Sequence, residues 1–326
     1  MAPLLRVENV TVCYNGTPVV TDVSFDLNEG EILGVVGESG SGKSTLIRAA
    51  MGLLGSAGMV TRGDILYRGE NLTDMPEKRL CDLRGKEISM VFQDCKAALC
   101  PVRTVGAQIH EAMCAHQSVS RRQSDAAAAE IMRKIGLEDV ERILNSYPFE
   151  LSGGMNQRVG ICMAMLLRPK LLLADEPTGA VDTKTAAHIL DLFKRLNRET
   201  GITVVIVTHD RLISKHVDRV VAIRDGRTSS EFLIRADYAK RIGELDSLSR
   251  MDDAETHDEY AVMDKAGRLQ IPREYLEQLG LSGKNKVRVD LEEGRIVLTP
   301  PSLDGEDKDK ETDSGEKDTD NNKDSE

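Results

Sequence analysis

A glycine-rich octapeptide, Gly37-Glu38-Ser39-Gly40-Ser41-Gly42-Lys43-Ser44, constrains this chain more than any other feature because of what flanks it. Before it runs Ile32-Leu33-Gly34-Val35-Val36, a short continuous apolar stretch of the kind expected in a strand buried on both faces. After it, Thr45-Leu46-Ile47-Arg48-Ala49-Ala50-Met51 reads as a helix ended by Gly52. Apolar strands return at Leu171-Leu172-Leu173-Ala174 and Ile202 to Val207, separated by a helical pattern from Thr185 to Arg198. Strands alternating with helices imply an α/β fold with a parallel core sheet. Upstream, Leu5 to Val12 and Val23 to Leu27 alternate with period two, as in an antiparallel edge sheet, and the Ala-rich stretch from Thr104 to Val140 reads as a helical insertion.

The octapeptide fits G-x-x-x-x-G-K-[ST], and its setting between strand and helix is the one its chemistry needs. Glycines let backbone N–H groups curl round phosphate oxygens, and the helix N-terminus favours negative charge. Gly37, Glu38, Ser39, Gly40, Ser41, Gly42, Lys43, Ser44 and Thr45 are the expected nucleotide-binding residues. Lys43 would reach the β and γ oxygens, and the Ser44 hydroxyl would ligate Mg²⁺. The strand 171–174 delivers two adjacent carboxylates at its C-terminal end. Asp175 is expected to hold Mg²⁺, directly or through water, and Glu176 to polarise or deprotonate the attacking water.

Those two segments alone fit many nucleoside-triphosphate-hydrolysing proteins. Leu151-Ser152-Gly153-Gly154-Met155-Asn156-Gln157-Arg158 narrows the field, because it resembles the LSGGQ signature of ABC transporter ATPases and stands about 20 residues before the carboxylate strand. Met155 departs from the usual glutamine. The remaining motifs of that family follow in order over about residues 4–232. Tyr14 resembles the aromatic residue that stacks on adenine, and Gln93 the glutamine that touches Mg²⁺ and water. Asp182 resembles the D-loop aspartate, although Gly179-Ala180-Val181 differs from the usual residues before it, and His209 resembles the switch histidine that contacts the γ-phosphate.

The resemblance implies ATP and Mg²⁺ as cofactors, with Glu176, His209 and Gln93 catalytic and Ser44, Gln93 and Asp175 around the metal. It implies that Leu151, Ser152, Gly153, Gly154 and Met155 face nucleotide bound by a second ATPase subunit, identical or related. It further implies transmembrane permease subunits as partners, and so a peripheral place on the cytoplasmic face of the membrane. No apolar run approaches the length of about 20 residues needed to span a bilayer.

Within the family, Val36 to Gly42, Gly85 to Ile88, Thr104 to Ile109 and Tyr147 to Met155 are similar to ATPases of dipeptide, oligopeptide and nickel importers, where Met155 is typical. An extracytoplasmic solute-binding protein would then be a further partner. Ala174 to Gly179 and Arg219 to Arg227 are instead similar to the lipoprotein-release and macrolide-export group, the rival reading.

The C-terminal part reads differently. Residues 1–235 form the expected ATPase domain, with its helical subdomain at about 94–160, and residues 236–257 read as a charged linker. Residues 258–301, from Tyr260-Ala261-Val262-Met263-Asp264-Lys265 onward, resemble a swapped-hairpin module of AbrB type, with strands at Lys286 to Leu291 and Arg295 to Thr299. Between Asp258 and Thr299 there are 8 acidic and 7 basic residues, a balance that speaks against nucleic-acid binding and leaves dimerisation or regulation as the expectation. An ATP-dependent regulator with a DNA-binding C-terminus is the reading from another class. Of the net charge of −11, −7 falls between Asp304 and Glu326, so residues 302–326 read as a disordered acidic tail. The six cysteines form no C-x-x-C pair and read as reduced thiols, mostly packed, with neither a zinc site nor an iron–sulfur cluster expected.

Overall fold

The structure is a computed structural model that describes residues 2–179, 181, 183–234, 257–261, 271, 273–278, 288–292 and 295–299. The expected acidic tail, nearly all of the expected linker, and much of the expected swapped-hairpin module lie outside those residues. So does Asp182.

Two compact units divide at Gln270 and Ile271. In the first, β1 (Leu5–Tyr14), β2 (Thr17–Leu27), β4 (Gly58–Tyr67) and β5 (Glu70–Asn71) form a four-stranded antiparallel sheet in the order β2-β1-β4-β5. It stands as a sheet of its own rather than as the edge of the parallel one. The core sheet, which shares a hydrophobic core with it, is made of β3 (Ile32–Val36), β6 (Ile88–Val91), β7 (Leu171–Asp175), β8 (Thr203–Thr208), β9 (Arg219–Arg224), β10 (Arg227–Ile234) and β11 (His257–Ala261). Its order is β11-β10-β9-β3-β8-β7-β6, parallel from β9 to β6 and antiparallel at β10 and β11. The strand His257–Ala261, which falls at the start of the expected C-terminal module, thus pairs with β10 on the edge of the core sheet.

Period-two packing explains why the core strands are apolar without interruption. Leu33 and Val35, Leu171 and Leu173, and Val205 and Val207 face a core shared with α1 (Lys43–Ala50) and the antiparallel sheet. Ile32 and Val36, Leu172 and Ala174, and Val204 and Ile206 face the opposite core. That second core receives α8 (Thr183–Thr200) through Ile189, Leu192, Phe193 and Leu196. Both faces are covered, so alternation of polar residues would leave polar groups buried without partners.

Between β6 and β7 the chain inserts α3 (Cys95–Ala98), α4 (Val105–Cys114), α5 (Arg121–Lys134), α6 (Val140–Asn145) and α7 (Gly153–Met165), following α2 (Glu77–Leu83) earlier in the chain. Ser120 and Gln123 close a reciprocal capping box at the start of α5, which carries Ala126 to Ala129. No described helix is long and apolar enough to cross a membrane.

One buried ionic knot ties the start of β9 to its surroundings. Arg219 donates from Nε to Glu31 at 2.6 Å, from Nη1 to Glu231 at 2.6 Å, and from Nη2 to the Asp26 carbonyl. Burial works against the guanidinium charge, yet the two carboxylates more than offset it and hold its pKa above the ordinary value. Removing the cation would strand Glu31, whose side chain is 12% exposed, as an uncompensated charge. Arg219→Ala is therefore expected to lower unfolding free energy by about 3 kcal/mol in a denaturant titration. A midpoint within experimental error of the parent would show that the knot carries no net stability.

In the second unit, α9 (Arg273–Gln278) precedes a hairpin of β12 (Arg288–Glu292) and β13 (Arg295–Thr299), paired from Arg288 with Thr299 to Glu292 with Arg295. These strands fall close to the expected ones at Lys286 to Leu291 and Arg295 to Thr299.

Candidate active site

Four neighbouring strands bring the expected residues to one edge. In the order β3, β8, β7, β6, their C-terminal ends lead respectively into the Gly37–Ser44 loop, into His209, into Asp175 and Glu176, and into Gln93. Parallel pairing sets the alignment: Val36 faces Thr208, Asp175 faces Val207, and Val91 faces Ala174. Loops beyond the carboxyl ends of such strands form the natural crevice of an open α/β sheet.

The loop turns tightly because its glycines permit it. Gly40 and Gly42 have φ of +81° and +96°, and Gly42 is the N-cap of α1 without any side-chain cap. A Cβ on Gly37 would stand 2.1 Å from the Ile223 carbonyl oxygen, so no other residue fits there. The first-turn amides of α1 are thus left pointing outward, the arrangement that receives an anion. Ser41 Oγ is buried without a hydrogen-bond partner, a second sign that the cradle is shaped for a polar group.

Lys43 is 4% exposed and donates from Nζ to the carbonyl oxygens of Gly37 at 2.9 Å and Glu38 at 2.8 Å, fastening the loop across itself. Burial pushes its pKa below the ordinary lysine value, while the Glu176 and Asp175 carboxylates pull it back up. The Ser44 hydroxyl donates to Asp175 Oδ1 at 2.5 Å, and Asp175 is fully buried. A hydroxyl and a carboxylate held together in this way are the oxygen donors a hard divalent cation prefers.

Glu176 adopts φ of +44°, unusual for a residue with a side chain. Its amide donates to Val207 O at 2.9 Å and its carbonyl accepts from Gly179 N–H at 3.0 Å, which hold the backbone in that state. The carboxylate, in a residue 8% exposed, lies 2.9 Å from His209 Nδ1. An ionised carboxylate can only accept, so Nδ1 carries the proton in this contact. Gln93 approaches from β6: a Cβ on Gly179 would lie 3.6 Å from Glu176 Cβ and 3.9 Å from Gln93 Nε2.

The signature segment forms the N-terminus of α7. Ser152 is its N-cap, with Oγ accepting from Met155 N–H at 3.3 Å, and Gly154 packs close to the Thr185 side chain. Among the described residues, no hydrogen bond joins Ser152 to Met155 with the Gly37–Ser44 loop, Asp175 or Glu176. Tyr14 ends β1 in the antiparallel sheet, beside the Asn15-Gly16 turn.

One residue at this site escaped the sequence. Arg48 donates from Nη2 to Asp175 Oδ2 at 3.3 Å, so both oxygens of that carboxylate have partners. The available signal was spacing: Arg48 stands four residues after Ser44 on α1, hence on the same helix face. Cysteine packing also came out differently. Cys13, Cys95 and Cys162 are buried, but Cys81 and Cys114 are exposed and Cys100 is intermediate, so half rather than most are packed. Burial raises the Cys95 and Cys162 thiols to about 12.

A phosphate-cradling loop beside a buried carboxylate, with a second carboxylate and a histidine alongside, defines the class of nucleoside triphosphatases built on a parallel sheet. Comparison with known proteins agrees and goes further. The profile of the ABC transporter family matches residues 20–179. The oligopeptide transport ATP-binding protein OppD of Haemophilus influenzae is 37% identical over 268 residues, covering 79% of this chain and 82% of the relative. The dipeptide transport ATP-binding protein DppD of Bacillus subtilis is 38% identical, covering 77% and 78%. The metal-staphylopine import system ATP-binding protein CntD of Staphylococcus aureus is 41% identical, covering 69% and 83%. Among solved structures, a dimeric ATP-binding cassette in a post-hydrolysis state with ADP and Pi superposes with a TM-score of 0.63 at 32% identity, covering 71% of this chain and 99% of that one. The chain belongs to the ABC transporter family, as an ATP-binding and ATP-hydrolysing subunit.

Proposed function

We propose that this subunit powers an importer of the peptide and nickel type. The observation that carries the reading is its 37–41% identity to oligopeptide, dipeptide and metal-staphylopine transport ATPases over 69–79% of its length. Two such subunits, identical or related, would sit on transmembrane permease subunits at the cytoplasmic face, with a solute-binding protein supplying cargo from the other side. Exposed apolar groups on the helical insertion support a partner there: Val102 is 80% exposed, and Phe149, stacked on Tyr147 with ring centres 5.5 Å apart, is 63% exposed.

In this reading the Gly37–Thr45 loop cradles the triphosphate through backbone amides, and Lys43 balances its charge. Ser44 and Asp175, with Gln93, would hold Mg²⁺, which when bound neutralises charge on the phosphate oxygens. Glu176 accepts a proton from the attacking water, held in place by His209. Tyr14 stacks on the adenine. Leu151 to Met155 of one chain, with Ser152 at the helix N-terminus, cover the nucleotide of the other. Charge neutralisation and positioning are what phosphoryl transfer chiefly asks of a protein.

Capture of the full chain from cross-linked membranes of its source tests the reading. It predicts two permease subunits and a solute-binding protein, with a second ATPase subunit that is identical or related. Recovery of a single permease bearing a large extracytoplasmic domain would replace import with export.

For residues 258–301 the proposal is self-association. A two-stranded sheet such as β12–β13 is at best marginal alone, and Ile296 is 64% exposed on it. A chain truncated after Gln270, which keeps β11 on the core sheet, is expected to dimerise with ATP more weakly than the full chain in sedimentation; equal dimerisation would remove that role.

A further inference from the structure

We infer that Gly58 is a positioning residue for adenine recognition, acting by leaving room for the ring of Tyr14. The inference rests on the stacking role proposed above for Tyr14.

Gly58 opens β4 and stands directly opposite Tyr14, the last residue of β1. A Cβ at Gly58 would lie 2.7 Å from Tyr14 Cε1, 2.8 Å from Leu54 Cβ and 2.9 Å from the Leu54 carbonyl oxygen. All three distances are shorter than real Cβ contacts allow, and the Tyr14 ring atom is the nearest of the three. The ring therefore rests against a bare backbone segment, with Leu54 also close to the same position. Gly58 has an ordinary backbone conformation, with no positive φ to call for glycine. The lack of a side chain is what the position uses.

The seat is rigid from the other side as well. Tyr14 pairs with Thr17 across the turn of Asn15 and Gly16, which have φ of +49° and +80°, and Asn15 N–H donates to Ala57 O at 3.0 Å. The hairpin is also tied to the phosphate loop: a Cβ on Gly42 would lie 2.7 Å from Val20 Cγ2 and 3.0 Å from Val19 O. The ring is thus held at a set place relative to the cradle, and a Cβ at Gly58 has to displace the ring or the strand that carries it. A displaced ring would lose its stacking on the base while the phosphate cradle remained as it was.

The test is equilibrium binding of ATP and of inorganic tripolyphosphate, each with Mg²⁺, to the full chain and to Tyr14→Ala, Gly58→Ala and the double variant. Tyr14→Ala should weaken ATP by about tenfold and leave tripolyphosphate unchanged, given the usual worth of an aromatic stack on a base. Gly58→Ala should weaken ATP by several fold, again without touching tripolyphosphate, and should add nothing in the Tyr14→Ala background. If Tyr14→Ala binds ATP like the parent, the stacking role itself fails. If Tyr14→Ala weakens ATP but Gly58→Ala does not, or if Gly58→Ala weakens tripolyphosphate equally or acts undiminished in the double variant, the inference about Gly58 is overturned. Should Gly58→Ala alone be unstable, the double variant still decides: it must fold and bind as Tyr14→Ala does, and an unfolded double variant counts against the inference.

Discussion

Glutamine in place of Glu176 is expected to cut ATP turnover by about 10²–10⁴-fold, the usual contribution of a positioned general base, while nucleotide binding persists. The amide keeps the volume of the side chain, and its oxygen can still accept from His209 Nδ1, 2.9 Å away in the parent. What it cannot do is take the proton of the attacking water. Glu176 is buried, on a backbone held at φ of +44° by hydrogen bonds to Val207 and Gly179, so its carboxylate is fixed at the end of β7. Single-turnover phosphate release, read beside equilibrium ATP binding, checks the split. Turnover at the parent rate would strip Glu176 of its role.

Lys43→Ala should act at the opposite end of the cycle. The lysine makes two charge-assisted hydrogen bonds to Gly37 and Glu38, and it supplies the only cation placed inside the loop. Its loss is expected to weaken ATP binding by about 3 kcal/mol, roughly 150-fold, with the loop itself loosened. Burial has already pushed this group below its ordinary pKa, so the site bears a desolvation cost that only an anionic partner offsets. Isothermal titration with ATP and with tripolyphosphate should show the same large loss for both, because the defect lies at the phosphates. A loss confined to ATP would place Lys43 nearer the base than the phosphates.

These two residues were legible from sequence because each sits at a fixed offset in a motif whose chemistry dictates its spacing. The glycines around Lys43 are needed for backbone approach, and Asp175 and Glu176 emerge together from the end of a strand whose apolar run cannot be mistaken. Arg48 was missed although its spacing from Ser44 puts it on the same helix face: an arginine on a helix ordinarily reads as a solvated one, and the packing of α1 against β7 brings it to Asp175. Gly58 was equally silent, since the reason for a glycine there is the ring of a residue 44 positions earlier. The fold divides along similar lines. Both-face burial made the core strands plain, but period-two patterning in β1 and β2 could not say whether they bordered the parallel sheet or formed a second one. Nor could sequence say that His257–Ala261 pairs with β10, because strand pairing across about 20 intervening residues leaves no local mark.

The proposed function depends on a nucleotide enclosed between the Lys43 loop of one chain and the Ser152 segment of another. Sedimentation of Glu176→Gln with Mg²⁺ and saturating ATP tests it most directly, with Ser152→Arg/Glu176→Gln as the comparison. A dimer is expected in the first case and, because the added side chain would fill the covering surface, a monomer in the second, with ATP bound in both. A Glu176→Gln protein that binds ATP yet stays monomeric, even together with its membrane partners, would contradict it.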